Sequence, residues 1–387
     1  MLSEPLIDVV VPVFNGAKTI RAAIESIQTQ TLNRIRILIV DDGSTDDTRH
    51  LLTEMAAGDG RLQIIHHPKG GIVSALNAGL VHCCADFVAR HDADDVSYPQ
   101  RFEHQLGYMR EHPECLGVSG AARQIDEHGR FLGKVIRLPS PDAADGKWLP
   151  AREPYLMHPF LMARTSALRV VGGYRYVVHS EDADLCWRMQ EHGHLHNMDA
   201  VLGEYRMHSG SISGSSVSNG RTQALGTQLA PISALRRRAG KTDLTFPKEA
   251  VERYRAAASL TEIFKLGCHG LTRSEIEHLE TALAAKLLEL TDYRPYELEL
   301  ADCRFIRRAL AKRMHTANAK NRDELTHLTL RAAARLFRKG LLKEASAVVP
   351  TSQYPSAAAR LAKRFASGRF DLKTIAGFDW VCRTTKW

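Results

Sequence analysis

Over its first 90 residues the chain alternates short apolar runs with segments of helical spacing, and this alternation restricts the fold more than any other feature. Ile7 to Val13, Arg36 to Val40, Leu62 to His66 and Phe87 to Arg90 read as buried strands, the first broken by Pro12. Between them, Thr19 to Gln28, the stretch through Met55, and about Ile72 to His82 read as helices, and Ser44 or Thr45 is expected to cap the second. Strands separated by helices make a mostly parallel sheet covered on both faces. In such sheets ligands sit beyond the carboxyl ends of the strands. Asn15, Asp42, Gly70 and Asp92 to Asp95 all fall at that edge, so four loops converge on one crevice.

The last of these loops is Arg90-His91-Asp92-Ala93-Asp94-Asp95. Three aspartates within four residues repel one another, and a divalent cation is the natural compensation, since adjacent carboxylates suit Mg²⁺ or Mn²⁺ and the phosphates of a nucleotide. A solvated acidic turn is the plainer alternative. Neither G-x-G-x-x-G nor G-x-x-x-x-G-K-[ST] occurs in these loops, which argues against a dinucleotide dehydrogenase and a P-loop NTPase.

Order and spacing then become specific. Val9-Val10-Val11-Pro12-Val13-Phe14-Asn15, Val40-Asp41-Asp42-Gly43-Ser44-Thr45-Asp46 and Asp92-Ala93-Asp94-Asp95 resemble the family 2 glycosyltransferases of GT-A fold. His158-Pro159-Phe160, Gly172-Gly173-Tyr174, Ser180-Glu181-Asp182-Ala183-Asp184-Leu185 and Tyr205-Arg206-Met207-His208-Ser209 extend the likeness to about residue 215. The resemblance implies that Asp42 accepts a hydrogen bond from the uracil of a UDP-sugar, in a pocket lined by Pro12, Phe14 and Asn15. Phe14 stands where many relatives carry Tyr. It implies Asp94 as the direct ligand of Mn²⁺ or Mg²⁺, Asp92 as a ribose or second-sphere contact and Asp95 as support for the loop. It implies Asp182 as catalytic base, Arg206 as a donor contact, and His208 as a diphosphate or metal contact. Each has a plainer reading: Asp-Gly-Ser turns commonly decorate helix starts, and Glu181-Asp182 at a helix N-terminus is favoured by the macrodipole alone. The Gln-x-x-Arg-Trp motif of processive relatives is absent, which favours transfer of a single sugar.

At 387 residues the chain has room for two domains, and its net charge of +8 is uneven. Residues 1–245 carry a net −2 and residues 246–387 a net +10. Residues 1–220 are expected to form the catalytic α/β domain, 221–246 a basic linker, and 247–387 an all-helical domain. Its helices are expected over 248–267, 272–291, 297–319, 323–339, 341–349 and 355–367. The basic third suits anionic lipid or an anionic acceptor, with Arg236 to Arg238, Lys312-Arg313 and Arg360 to Arg364 as contributors; a solvated helical surface is the alternative. Seven cysteines without metal-type C-x-x-C spacing read as reduced thiols of a cytosolic protein. No stretch approaches a spanning helix, and the N-terminus lacks a signal-type pattern.

The expectation is therefore a cytoplasmic, metal-dependent, inverting glycosyltransferase, peripheral on the inner face of a membrane if its basic third docks there. It would use a nucleotide-sugar and a glycan, lipid-linked or protein acceptor, with self-association left open and nucleic acid disfavoured. A nucleotidyltransferase is the rival within the same fold, although Asn15-Gly16-Ala17-Lys18 makes a poor phosphate loop. A non-catalytic protein binding through its basic helices is the rival outside it.

Overall fold

The structure, a computed structural model, describes residues 4–207, 216–313 and 318–349. The chain divides into two compact units, the first built from Met1–Ala144, Glu153–Tyr176 and Glu181–His208. The second takes Asp145–Arg152, Val177–Ser180 and Ser209–Trp387.

In the first unit the elements run β1 (Ile7–Val13), α1 (Ile20–Gln28), β2 (Ile35–Asp41), α2 (Thr48–Gly58), β3 (Leu62–His66), α3 (Ile72–His82) and β4 (Phe87–Arg90). Then follow β5 (Val96–Ser97), α4 (Arg101–Glu111), β6 (Cys115–Ile125), β7 (Phe131–Ile136), β8 (Met162–Arg164), α5 (Thr165–Val170), α6 (Glu181–Gln190) and β9 (His194–Arg206). Among the described residues nine strands form one sheet in the order β3-β2-β1-β4-β8-β6-β9-β5, with β7 paired to β6. The first four strands are parallel; β8 runs against both β4 and β6. Apolar strands flanked by amphipathic helices explain this half: Ile20, Ala23, Ile24 and Ile27 of α1 are all buried. Proline is tolerated in β1 although the strand is central, because β4 pairs only as far as Val10 and leaves position 12 beyond its end. Aspartate is tolerated at fully buried Asp8 because Arg36 Nε and the N–H groups of Cys84 and Ala85 all donate to it, at 2.7 to 2.9 Å.

The second unit comprises α7 (Val217–Arg238), α8 (Ala250–Ala256), α9 (Leu260–Gly267), α10 (Arg273–Tyr293), α11 (Leu300–Arg313), α12 (Ala319–Arg338) and α13 (Leu342–Val348) around one apolar cluster. The linker expected over 221–246 is largely a helix instead. Much of α7 is buried, and its buried arginine is paired: Arg221 binds Asp302 at 2.8 Å and Glu299 at 2.6 Å. The helix expected over 248–267 is two, α8 and α9, separated by residues 257–259. The segment 355–367 lies outside the described residues.

Part of the positive charge counted on for lipid is met within this unit. Arg236 binds Glu275, Arg237 binds Asp243 and Lys312 binds Glu280. Arg360 to Arg364 lie outside the described residues. Among the described residues no helix is long and apolar enough to cross a membrane.

Candidate active site

The β1–α1 and β2–α2 loops are joined through Asn15, whose φ of 52° is a left-handed conformation that asparagine tolerates. Its Oδ1 accepts the Thr45 N–H at 2.8 Å, and its own N–H donates to Ser44 Oγ at 3.0 Å. Ser44 therefore serves this junction rather than capping α2, whose N-cap position is Asp47. Asp42, one residue beyond β2, is buried. Its Oδ1 accepts the Gly70 N–H at 2.8 Å and its Oδ2 the Gly71 N–H at 2.9 Å, so it organises the loop between β3 and α3. Gly71, at φ 83°, holds a conformation that suits glycine.

Lys69 Nζ lies 3.4 Å from Asp42 Oδ2 and 2.8 Å from the centroid of the exposed Phe14 ring. Lys69 thus brings Phe14 and Asp42 of the expected donor site together, and Pro12 is buried in β1. Lys69 is an addition to that site. The signal in the sequence was a lysine in a Gly-rich loop at the carboxyl edge.

In the acidic loop, part of the compensating charge comes from the chain itself. Arg90, buried at the end of β4, donates Nη1 to Asp92 Oδ2 at 2.6 Å and Nη2 to Asp92 Oδ1. Asp92, Asp94 and Asp95 each bring a carboxylate oxygen within 4.8 Å of the others. Burial raises the Asp92 carboxyl above its ordinary range against the pull of Arg90. Burial, reinforced by Asp92 and Asp94, raises Asp95 well above its own. Asp95 Oδ1 accepts the Arg206 N–H at 2.8 Å, whereas its buried Oδ2 has no hydrogen-bond partner among the described residues. A group of three carboxylates with an orphaned oxygen fits a hard divalent cation, which relieves the repulsion that protonation would otherwise relieve. Asp95, expected only to support the loop, joins Asp94 and Asp92 as an oxygen available to such an ion.

Glu181 and Asp182 open α6. Asp182 Oδ2 accepts the Tyr155 hydroxyl at 2.7 Å and Oδ1 accepts the Ala183 N–H at 2.7 Å. Burial raises the Asp182 carboxyl, and burial followed by the charge of Asp182 raises Glu181 to about 8. The charge of Asp182 also contributes to raising Asp92. The helix is held by Asp184, which binds Arg175 Nε at 3.0 Å and Arg188 Nε at 2.8 Å.

Arg206 was expected at the donor. Its Nε donates to the Asp94 carbonyl at 2.7 Å, and its Nη1 to the carbonyls of Asp126 and Glu127 at 3.2 Å. These contacts moor the acidic loop to β9 and the β6–β7 turn. His208 lies outside the described residues. His158 binds the Tyr174 hydroxyl at 2.8 Å, both buried, so the His158-Pro159-Phe160 motif contributes packing here. Tyr155 was not anticipated, since a lone aromatic in an irregular stretch carries no sequence signal.

Residues 8–172 match the profile of "Glycosyl transferase family 2". The chain is 31% identical over 211 residues to the amylovoran biosynthesis glycosyltransferase AmsE of Erwinia amylovora, covering 54% of this chain and 78% of that relative. In fold it is similar to the mannosyltransferase PcManGT of Pyrobaculum calidifontis, solved with GDP-Man and Mn²⁺. That likeness has a TM-score of 0.50 at 14% identity, over 92% of this chain and 87% of that one. It is also similar to S. aureus TarS, with a TM-score of 0.50 at 15% identity, over 90% and 55% of the two chains. At such identities the two structures speak for the fold alone.

Proposed function

The chain belongs to glycosyl transferase family 2, and from that membership we propose that this GT-A glycosyltransferase moves a single sugar, with inversion, from a nucleotide-sugar to a hydroxyl of a glycan, lipid-linked or protein acceptor. The observation that carries the reading is the group of three carboxylates at the carboxyl edge of the sheet, one oxygen of which has no partner among the described residues.

Asp42 and Phe14 receive the base of the donor, proposed to be uracil, whose ring N–H suits a carboxylate that offers only acceptors. Asp94, with Asp92 and Asp95 beside it, would hold Mn²⁺ or Mg²⁺, and the ion when bound supplies positive charge to the diphosphate of the leaving group. Arg90 keeps Asp92 oriented, and Arg206 keeps the loop in place. Asp182 accepts the proton of the acceptor hydroxyl as its oxygen bonds to the anomeric carbon and the bond from that carbon to the diphosphate oxygen breaks. One displacement of this kind inverts the anomeric centre. A base with an ordinary or modestly raised pKa suffices, because the hydroxyl proton becomes acidic only as the new bond forms.

The test is a panel of UDP-glucose, UDP-N-acetylglucosamine and GDP-mannose with Mn²⁺, scored for nucleoside diphosphate released by slow transfer to water. Release from one donor, abolished by chelation and by Asp94→Ala, is the expected result. Release that is indifferent to both overturns the metal reading, and release from GDP-mannose alone overturns uracil as the base.

A further inference from the structure

Tyr155 stands in an irregular stretch, yet its backbone is fixed. Asn197 on β9 donates from Nδ2 to the Tyr155 carbonyl and to the Pro139 carbonyl, both at 2.9 Å, and the next residue, Leu156, is buried in the core. From that position the phenol hydroxyl reaches Asp182 Oδ2 at 2.7 Å, while the Ala183 N–H holds Oδ1 at the same distance. With one donor on each oxygen, the plane of the carboxylate is set and each oxygen keeps a free acceptor direction.

Building on the assignment of Asp182 as base, we propose that Tyr155 is a positioning residue for it, holding the carboxylate in the one orientation from which it takes the acceptor's proton. The surroundings explain why a neutral donor is used. Asp182 faces Glu181 and Cys186 on its own helix, Asp92 from the acidic loop and Arg90 from β4, with Tyr205 of β9 acting on Tyr155. Arg90 is already committed to Asp92 through both terminal nitrogens. Burial, and then the charge of Asp182, push the Tyr155 phenol well above its ordinary range, so it stays a donor at any working pH.

The experiment compares Tyr155→Phe, Asp182→Asn and the double variant in the full chain, using the donor turned over in the Mn²⁺ panel with water as acceptor. Tyr155→Phe keeps the ring and its packing and removes one oxygen. The expected result is a kcat lowered by about 10- to 100-fold, up to the lower limit of what general base catalysis contributes, with donor KM and UDP affinity within about twofold of wild type. In the Asp182→Asn background the same change is expected to cost nothing further, because a group that acts through another has nothing left to act on. Three outcomes overturn the proposal alone while Asp182→Asn remains crippled: unchanged kcat in Tyr155→Phe, the same factor lost in both backgrounds, or a parallel loss of UDP affinity that marks a structural role. Near-wild-type transfer by Asp182→Asn overturns the base assignment itself, and the positioning role with it.

Discussion

Asp42 and Asp94 sit at the same edge of the sheet, and substitution separates their roles. Asp94→Ala relieves repulsion in the acidic loop, so the fold is expected to hold while the Mn²⁺-dependent part of UDP affinity disappears; calorimetry with and without Mn²⁺ reads this directly. Asp42→Ala is expected to lose UDP affinity with or without metal, and also about 1–3 kcal/mol of stability, since the N–H groups of Gly70 and Gly71 lose their acceptor. A melting temperature unchanged in Asp42→Ala would show that the loop does not depend on it. Acid is a second test at this scale. Asp59 is lowered to about 2 by Arg61, and Glu275 to about 2 by Arg236. Because both folded values lie below the unfolded ones, the unfolded chain binds protons first as pH falls. Their stabilisation is therefore complete above about pH 5 and is lost on the way down to pH 2, on the order of 1–2 kcal/mol each after allowance for solvent screening. Glu275→Gln is expected to flatten that part of the acid dependence, as read from urea midpoints at pH 7, 4 and 2.5. The site aspartates were legible in the sequence because their spacing is local. Tyr155, and the mooring contact that Arg206 makes instead of the expected donor contact, were not, because each acts on a residue far along the chain, Arg206 on Asp94 and Tyr155 on Asp182.

Elements were legible in proportion to how far their burial followed a simple apolar rule. β1, β3 and β4 fall where the alternating apolar runs place them, and α1 shows its apolar stripe plainly. α7 was misread as a linker because its buried side chains include Arg221, Gln228 and Ser233, which look solvated until their partners are known. Arg221 is the strongest case. Its Nε and Nη2 both bind Asp302 on α11, and Asp302 is fully buried. Removing Asp302 leaves the buried Arg221 only Glu299 and the Ala258 carbonyl, so Asp302→Ala is expected to cost up to about 3–5 kcal/mol. A melting curve on the full chain measures it, and a cost below about 1 kcal/mol would mean that α7 is not held by this pair. β9 supplies the matching case in the sheet. A Cβ on Gly203 would stand 2.2 Å from the Val96 carbonyl oxygen and 2.5 Å from Phe160, so only glycine fits where β5 crosses. A sequence without a register cannot reveal that.

At the scale of the whole molecule, sequence order and structural membership part company. A boundary near residue 220 follows the change in composition, yet residues 145–152 and 177–180 belong to the helical unit. Within that unit Leu149 is buried in the apolar cluster and its N–H donates to Asn321 Oδ1 at 3.2 Å, while the Ala151 N–H donates to Gln228 Oε1 at 3.0 Å. Val178 is as closely fitted, since a Cβ on Gly226 of α7 would stand 2.3 Å from its carbonyl oxygen. Each inserted segment lies next in sequence to residues of the proposed active site: Arg152 shortly precedes Tyr155, and Ser180 directly precedes Glu181 and Asp182. A chain truncated to residues 1–220 would leave Leu149 and Val178 without their partners and free the two segments that lead into the proposed base and its proposed positioning tyrosine. The truncated chain is accordingly expected to melt about 2–8 °C below the full chain, as a loss of 1–2 kcal/mol implies for a fragment of this size, and to lose transfer more severely than UDP binding, because Asp42 and the acidic loop lie in uninterrupted sequence upstream. Differential scanning calorimetry beside UDP calorimetry checks both. A truncated chain that melts with the full one and transfers at its rate would show that the helical unit is dispensable to the active site.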